Sequence, residues 1–241
     1  MTLEQYAQSL CSQHPDKRIY PFEFENKRYW LKQPEKPKGS QRLLKTFPHK
    51  AFHREVERLL KLKQKNAPIP HIYIANDNML VMEDAGLSVS HWLSNRNISS
   101  EQKQQILNDS AIALAKLHKQ KLIHGRPFVK DILWKDGIVS FVDFEVDAVS
   151  NNPIQQQIQD NILFMIGLCR EQAITKEQIR QTILTYKNYT EQHIWQTTLN
   201  KLRYYRWAYW LLLPFKSIAG KDLKALYLLI EICYKDDILV K

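Results

Sequence analysis

The sequence predicts an α+β protein, with short antiparallel strands gathered early and helices making up most of the rest. Three observations predict it. Apolar residues alternate over 20–33 around a turn signal, and two short apolar runs, 72–74 and 79–82, flank another. Helical periodicity takes over in 51–65, 99–117 and 154–168. A further pair of short apolar runs, Ile132-Leu133-Trp134 and Ile138 to Val142, brackets the turn Lys135-Asp136-Gly137, where Asp-Gly tolerates the positive φ of a tight hairpin.

Taken in order, residues 1–18 read as a short helix and a polar approach. Phe22 and Phe24, then Tyr29, Trp30 and Leu31, flank the turn Glu25-Asn26-Lys27 as a hairpin whose second strand ends at Lys32. By pattern alone, Lys32 is a solvated strand-end lysine. Residues 33–50 form a basic, Pro-containing connection in which Lys36, Lys38, Arg42 and Lys45 suit an anion or plain solvation. Phe52, Val56, Leu59 and Leu60 make one stripe of the helix over 51–65. Glu55 borders that stripe, with Arg54, Arg58 and Lys61 as surface partners at helical spacing.

Pro68 and Pro70 end this helix, and two strands follow around Asn76-Asp77-Asn78. Glu83-Asp84-Ala85-Gly86 leads out into a short helix near His91. Ser99 with Gln102 is a capping box that opens a helix with Leu107, Ala111, Leu114 and Leu117 inward. The chain then reaches the stretch 124–145, HGRPFVKDILWKDGIVSFVDFE. Its hairpin brings Asp131, just before the first strand, toward Asp143 and Glu145, just after the second. Clustered carboxylates repel unless a cation sits between them, so a divalent metal on Asp131, Asp143 and Glu145 is the simplest explanation. Beyond it, 154–168 reads as a helix whose second half is apolar nearly all round, which predicts a central helix whose pattern is broken by Asp160. That Asp is either buried and satisfied or exposed in the helix's first half.

The remainder is helical and contains Arg203, Tyr204, Tyr205, Arg206, Trp207, Tyr209 and Trp210. A core helix is the first reading of this interleaving. A face on an anionic bilayer ranks second, and nucleic acid a distant third.

Composition bounds the rest. With 241 residues and 44% hydrophobic content, the chain can fill one core or two. A formal charge of +10 implies an acidic partner. Cys11, Cys169 and Cys233 are odd in number and far apart, against a disulfide frame or zinc site and in favour of a reducing, cytoplasmic setting. The first residues do not have the pattern of a signal peptide, and 207–215 is too short to span a bilayer.

These residues resemble the protein kinase-like superfamily, where H-x-D-x-x-x-x-N precedes a hairpin and D-F-G. His124 matches the His, Asp131 falls on the Asn, and Asp143-Phe144-Glu145 falls on D-F-G. The likeness is closest to the small bacterial lipopolysaccharide kinase (Kdo/WaaP, InaA-like) group and its RIO-like relatives. It implies a two-lobed fold: a small antiparallel-sheet N-lobe over 1–84 and a mostly helical C-lobe over 85–241. It also implies that Lys32, or Lys45 failing that, contacts nucleotide phosphates, with Glu55 orienting the lysine. Met82 would stand at the gatekeeper place, with backbone groups of Glu83 and Ala85 for an adenine. His124 and Asp160 would be structural, with Asp160 accepting bonds from the catalytic-loop backbone. ATP and Mg2+ follow as cofactors, and a sugar or glycolipid hydroxyl as acceptor.

The sequence departs from the family pattern twice. None of the six glycines lies in the first hairpin, so there is no glycine-rich loop. Arg126 holds the place of the proton-accepting Asp, and an arginine cannot act as a base. It could bind the γ-phosphate or stabilise transferring charge, while Asp131 serves as base or as metal ligand. Three readings compete: a phosphotransferase, a pseudokinase that keeps the fold without turnover, and a nucleotidyl transferase on the same scaffold.

Overall fold

The computed structural model describes residues 1–35, 48–144, 152–204, 206–215 and 220–235. The chain divides into two compact units, Met1–Ala85 and Gly86–Lys241.

The first unit starts with α1 (Leu3–Gln13), capped by reciprocal Thr2 and Gln5 bonds. Strands β1 (Ile19–Phe24) and β2 (Lys27–Lys32) follow, then α2 (Pro48–Gln64), β3 (Ile72–Ala75) and β4 (Leu80–Glu83). The antiparallel sheet runs β1-β2-β4-β3, with Lys32 opposite Leu80 and Trp30 opposite Met82. Glu25 and Asn26 both adopt positive φ, as a tight hairpin turn requires. Asn76 Oδ1 accepts the N–H groups of Asn78 and Met79, which shapes the second turn. Alternation along β1 and β2 sends Tyr20, Phe22, Tyr29 and Leu31 into a core shared with Met79, Val81 and Ala7 of α1. On α2 the buried stripe is Phe52, Val56, Leu59 and Leu62. Leu60, expected inside, is exposed, because a stripe continuing at i+3 from Leu59 selects Leu62.

The second unit opens with β5 (Leu87–Ser88), α3 (Val89–Ser94) and α4 (Ser100–Lys119), whose Ser99–Gln102 capping box is formed. Next comes the hairpin β6 (Ile132–Lys135) and β7 (Ile138–Phe141), giving a three-stranded sheet ordered β5-β6-β7. Asp136 and Gly137 turn it with positive φ. Gly86 also has positive φ, and a Cβ there would stand 2.5 Å from the Trp134 carbonyl oxygen, so the start of β5 needs glycine. Helices α5 (Pro153–Arg170), α6 (Lys176–Tyr189), α7 (Gln192–Tyr204), α8 (Arg206–Leu212) and α9 (Lys221–Lys235) complete the unit. A 3-10 turn, Leu213–Phe215, follows α8. Helix α5 packs against α6, α7 and α9 and is central, although Ile162, Leu163 and Ile166 keep partial exposure.

The aromatic stretch near α8 corrects the first reading of it. Among the described aromatics of this stretch, Tyr209 alone joins a core, with Tyr227 and Ile230, whereas Tyr204, Trp207 and Trp210 are exposed. The period of a short helix places Tyr209 inward and its neighbours outward; Tyr205 lies outside the described residues. No helix among the described residues is long and apolar enough to cross a membrane.

Candidate active site

The predicted site residues fall in both units, and each set has its own geometry. In the first unit, Lys32 ends β2 as a buried side chain, and its ammonium is ion-paired with the Glu55 carboxylate of α2. Arg18 stands 3.9 Å from the other Glu55 oxygen. Lys45 lies outside the described residues. Met82 pairs with Trp30 across the sheet. The Glu83 N–H donates to the His71 carbonyl at 2.9 Å, and the Glu83 carboxylate accepts the His71 N–H at 2.7 Å. Trp30 Nε1 donates to Asp84 at 3.0 Å, fixing the exit toward Ala85.

In the second unit, Asp160 is fully buried on α5 and organises the loop that leaves α4. Its two carboxylate oxygens accept the N–H groups of His124 at 2.8 Å and Gly125 at 2.9 Å. A buried carboxylate so bonded has its hydrogen-bonding capacity used rather than stranded. His124 is itself buried. Its Nδ1 accepts the Arg126 N–H at 3.3 Å, which leaves Nε2–H to donate to the Val142 carbonyl at 2.9 Å. Its ring stacks on Phe144 with centroids 4.7 Å apart. The His thus ties the loop to both residues that flank Asp143.

Asp131 is placed by the hairpin. Ile132 pairs with Phe141, and one step further out the Val142 N–H donates to the Asp131 carbonyl at 3.0 Å. Asp143 follows directly, in a left-handed conformation (φ 57) that Asp tolerates better than most residues. The Asp131 side chain is buried; Lys130 Nζ lies 3.6 Å from Oδ1, and Oδ2 has no hydrogen-bond partner among the described residues. Burial pushes the Asp131 carboxyl above the usual range; Lys130 opposes this, the Asp143 charge adds to it, and Arg126 opposes it. Glu145, the third expected ligand, lies outside the described residues. Two hard carboxylates, one with a buried unpartnered oxygen, fit Mg2+, which keeps several waters and takes one or two protein carboxylates beside phosphate. Among the described residues no cluster of three such ligands exists.

Arg126 and Arg170 both lie over the Phe128 ring, their guanidinium carbons 5.5 and 5.3 Å from its centroid. Gly167 lets that ring lie against α5, since a Cβ there would be 3.1 Å from Phe128 Cδ1. Sequence reasoning named neither Phe128 nor Arg170. It also missed His118, whose Nε2 lies 3.2 Å from Asp160 Oδ2. The signal was present: His118 sits four residues after Leu114, on the inward face of α4.

A strand lysine paired with a helix glutamate, and a buried loop histidine hung from a helix aspartate beside a hairpin, define a kinase-like fold of α+β class. The chain belongs to the RIO domain family, which matches residues 18–181, and that family is part of the protein kinase-like superfamily. The chain is also similar to an uncharacterized protein of Haemophilus influenzae, 45% identical over 229 residues, covering 95% of each chain.

Proposed function

We propose that this chain is an ATP- and Mg2+-dependent phosphotransferase. The observation that carries the reading is the buried Oδ2 of Asp131, without a partner among the described residues and held one hydrogen-bonded pair away from Asp143 at the base of a hairpin. Asp131 and Asp143 would hold the metal, with Glu145 as a further candidate. The ion would offset phosphate charge. Lys32, oriented by Glu55, would bind the nucleotide phosphates. The Glu83 carbonyl and the Ala85 backbone would meet the adenine beneath Met82, since the Glu83 N–H is already bonded to His71.

In the transfer, the acceptor oxygen bonds to the γ-phosphorus as the bond from that phosphorus to the β,γ-bridging oxygen breaks. ADP leaves with the electron pair, and the hydroxyl proton passes to solvent or to a carboxylate. Arg126 cannot take that proton; its cation stabilises charge on the transferring group. His124 and Asp160 position the loop. The acceptor is a hydroxyl of a sugar or glycolipid, of the lipopolysaccharide type, and the protein works on the cytoplasmic side.

A pseudokinase is the second reading, favoured by Arg126 in the place of a base. Nucleotidyl transfer is a variant of the first. One experiment separates them: the purified chain is incubated with Mg2+, candidate glycolipid, sugar and protein acceptors, and ATP labelled at the α or γ position. Transfer of γ label that drops at least about 100-fold in Asp143→Asn supports the proposal. Transfer of α label supports nucleotidylation. Nucleotide binding without turnover supports the pseudokinase.

A further inference from the structure

The exposed face of α8 carries none of the residues assigned above to the nucleotide, and it lies beyond residues 18–181 matched by the RIO domain. Trp207, Trp210 and Leu211 are 60%, 59% and 64% exposed, and Tyr204 at the end of α7 is 72% exposed. Within α8 the three residues stand at i, i+3 and i+4, so they form one face rather than scattered exceptions. Single exposed apolar residues are ordinary; a contiguous set including two indoles marks an interaction site. The opposite side of α8 is already used, because Tyr209 packs edge-on against Tyr227, centroids 5.5 Å apart. The outward aromatics are therefore not surplus core.

The sequence on either side of α8 points to one occupant. From Gln192 to Lys221 the chain carries five Lys and Arg residues (Lys201, Arg203, Arg206, Lys216 and Lys221) and no Asp or Glu. Arg203 is exposed, one residue before Tyr204. Indole and phenol rings, apolar in body and polar at one edge, settle at the headgroup level of a bilayer, while neighbouring cations meet lipid phosphates. A second copy would bring the same cations against themselves, and like charges oppose that pairing.

We infer that α8 and the end of α7 form a docking surface for an anionic phospholipid bilayer, with Trp207, Trp210, Leu211 and Tyr204 in the interface and Arg203 at the lipid phosphates. The chain rests on the membrane through this face without spanning it. This inference stands whether or not the kinase-like site turns over.

The test is flotation of the full chain with vesicles of phosphatidylcholine alone or mixed with phosphatidylglycerol. Wild type floats with the mixed vesicles at least about ten-fold more than with the neutral ones, and high salt reduces it by screening. Trp207→Ala/Trp210→Ala, which keeps every charge, loses most of that binding with an unchanged melting temperature. Arg203→Glu, a separate surface change, weakens it several-fold. Equal flotation with both vesicle types, or a double variant that binds like wild type, overturns the inference. So does a wild-type dimer in sedimentation that the double variant abolishes, which would put a second copy on this face. Binding of a single-stranded oligonucleotide through the same two tryptophans, with no vesicle binding, overturns it as well.

Discussion

His118 Nε2 lies 3.2 Å from Asp160 Oδ2, and both side chains are buried. The bonds around them fix direction. Thr198 donates to the Ile194 carbonyl, so it accepts from Asn161 Nδ2; Asn161 Oδ1 then accepts the Tyr186 hydroxyl hydrogen. The Tyr186 oxygen lies 2.9 Å from His118 Nδ1, so His118 bridges Tyr186 and Asp160 through its two ring nitrogens. A chain of bonds runs from α7 through α5, α6 and α4 to the amides of His124 and Gly125. Asp160→Ala strands three donors at once and is expected to cost about 3–5 kcal/mol in urea unfolding. His118→Phe leaves the two loop amides bonded and costs about 1–3 kcal/mol. Loop amides of 124–131 exchange faster in both. An Asp160→Ala protein as stable as wild type would refute this account.

The Lys32–Glu55 pair is asymmetric, since Lys32 is buried while Glu55 is partly exposed and has Arg18 at 3.9 Å. Glu55→Ala leaves a buried ammonium without its anion and should cost about 2–4 kcal/mol. Lys32→Met leaves Glu55 near Arg18 and should cost less than half of that. Nucleotide binding, read by thermal shift, should nevertheless suffer more in Lys32→Met. The reverse order of stabilities would show that Lys32 is not the desolvated partner.

For Asp131 the sign of the pH effect follows from its raised folded value. The contribution to stability is present in full below the ordinary Asp value of 3.8 and is lost as pH rises through the raised one. At neutral pH the ionised carboxylate therefore opposes folding. Asp131→Asn should melt higher than wild type at pH 7.5 without metal, and the gap should shrink toward pH 4. Mg2+ with nucleotide should stabilise wild type and leave the variant unmoved. A variant that melts lower at pH 7.5 without metal would show that the carboxylate is not strained.

Local chemistry made much of this legible in advance. Glu25-Asn26 and Asp136-Gly137 announce hairpins because few residues accept positive φ, and Ser99 with Gln102 announces a helix start by reciprocal bonding. The spacing from Asp131 to Asp143 suffices to show that a hairpin separates them. What the pattern left open depends on neighbours distant in sequence. Whether Lys32 is solvated or paired is decided by α2, 23 residues on. His118 gains its role only because α5 and α6 bring Asp160 and Tyr186 to it. Trp207 and Trp210 were misread as core because aromatic content alone does not say which side of a helix already has a partner.

Under the proposed phosphotransfer, Arg126 is the residue that separates an active enzyme from a relic. Its cation lowers the Asp131 carboxyl value, against burial and Asp143, which raise it. Removing it in Arg126→Ala should therefore raise the Asp131 value further. The acid limb of the pH–rate profile should then move to higher pH, by the same sign argument that governs its stability. Loss of a cation on the transferring phosphoryl group should lower kcat by about 10²-fold while KM for ATP changes little, because the interaction strengthens only as charge develops. Arg126→Lys keeps a charge over Phe128 but not the planar fork, and should recover part of the rate and most of the acid limb. Arg126→Asp supplies a carboxylate where relatives of the fold have their base. It also adds a third negative charge beside Asp131 and Asp143, so it should demand more Mg2+ and gain no rate at low metal. Steady-state kinetics across pH and Mg2+ for these variants reads each effect separately. An acid limb that stays in place in Arg126→Ala, with kcat unchanged, would place Arg126 outside the reaction.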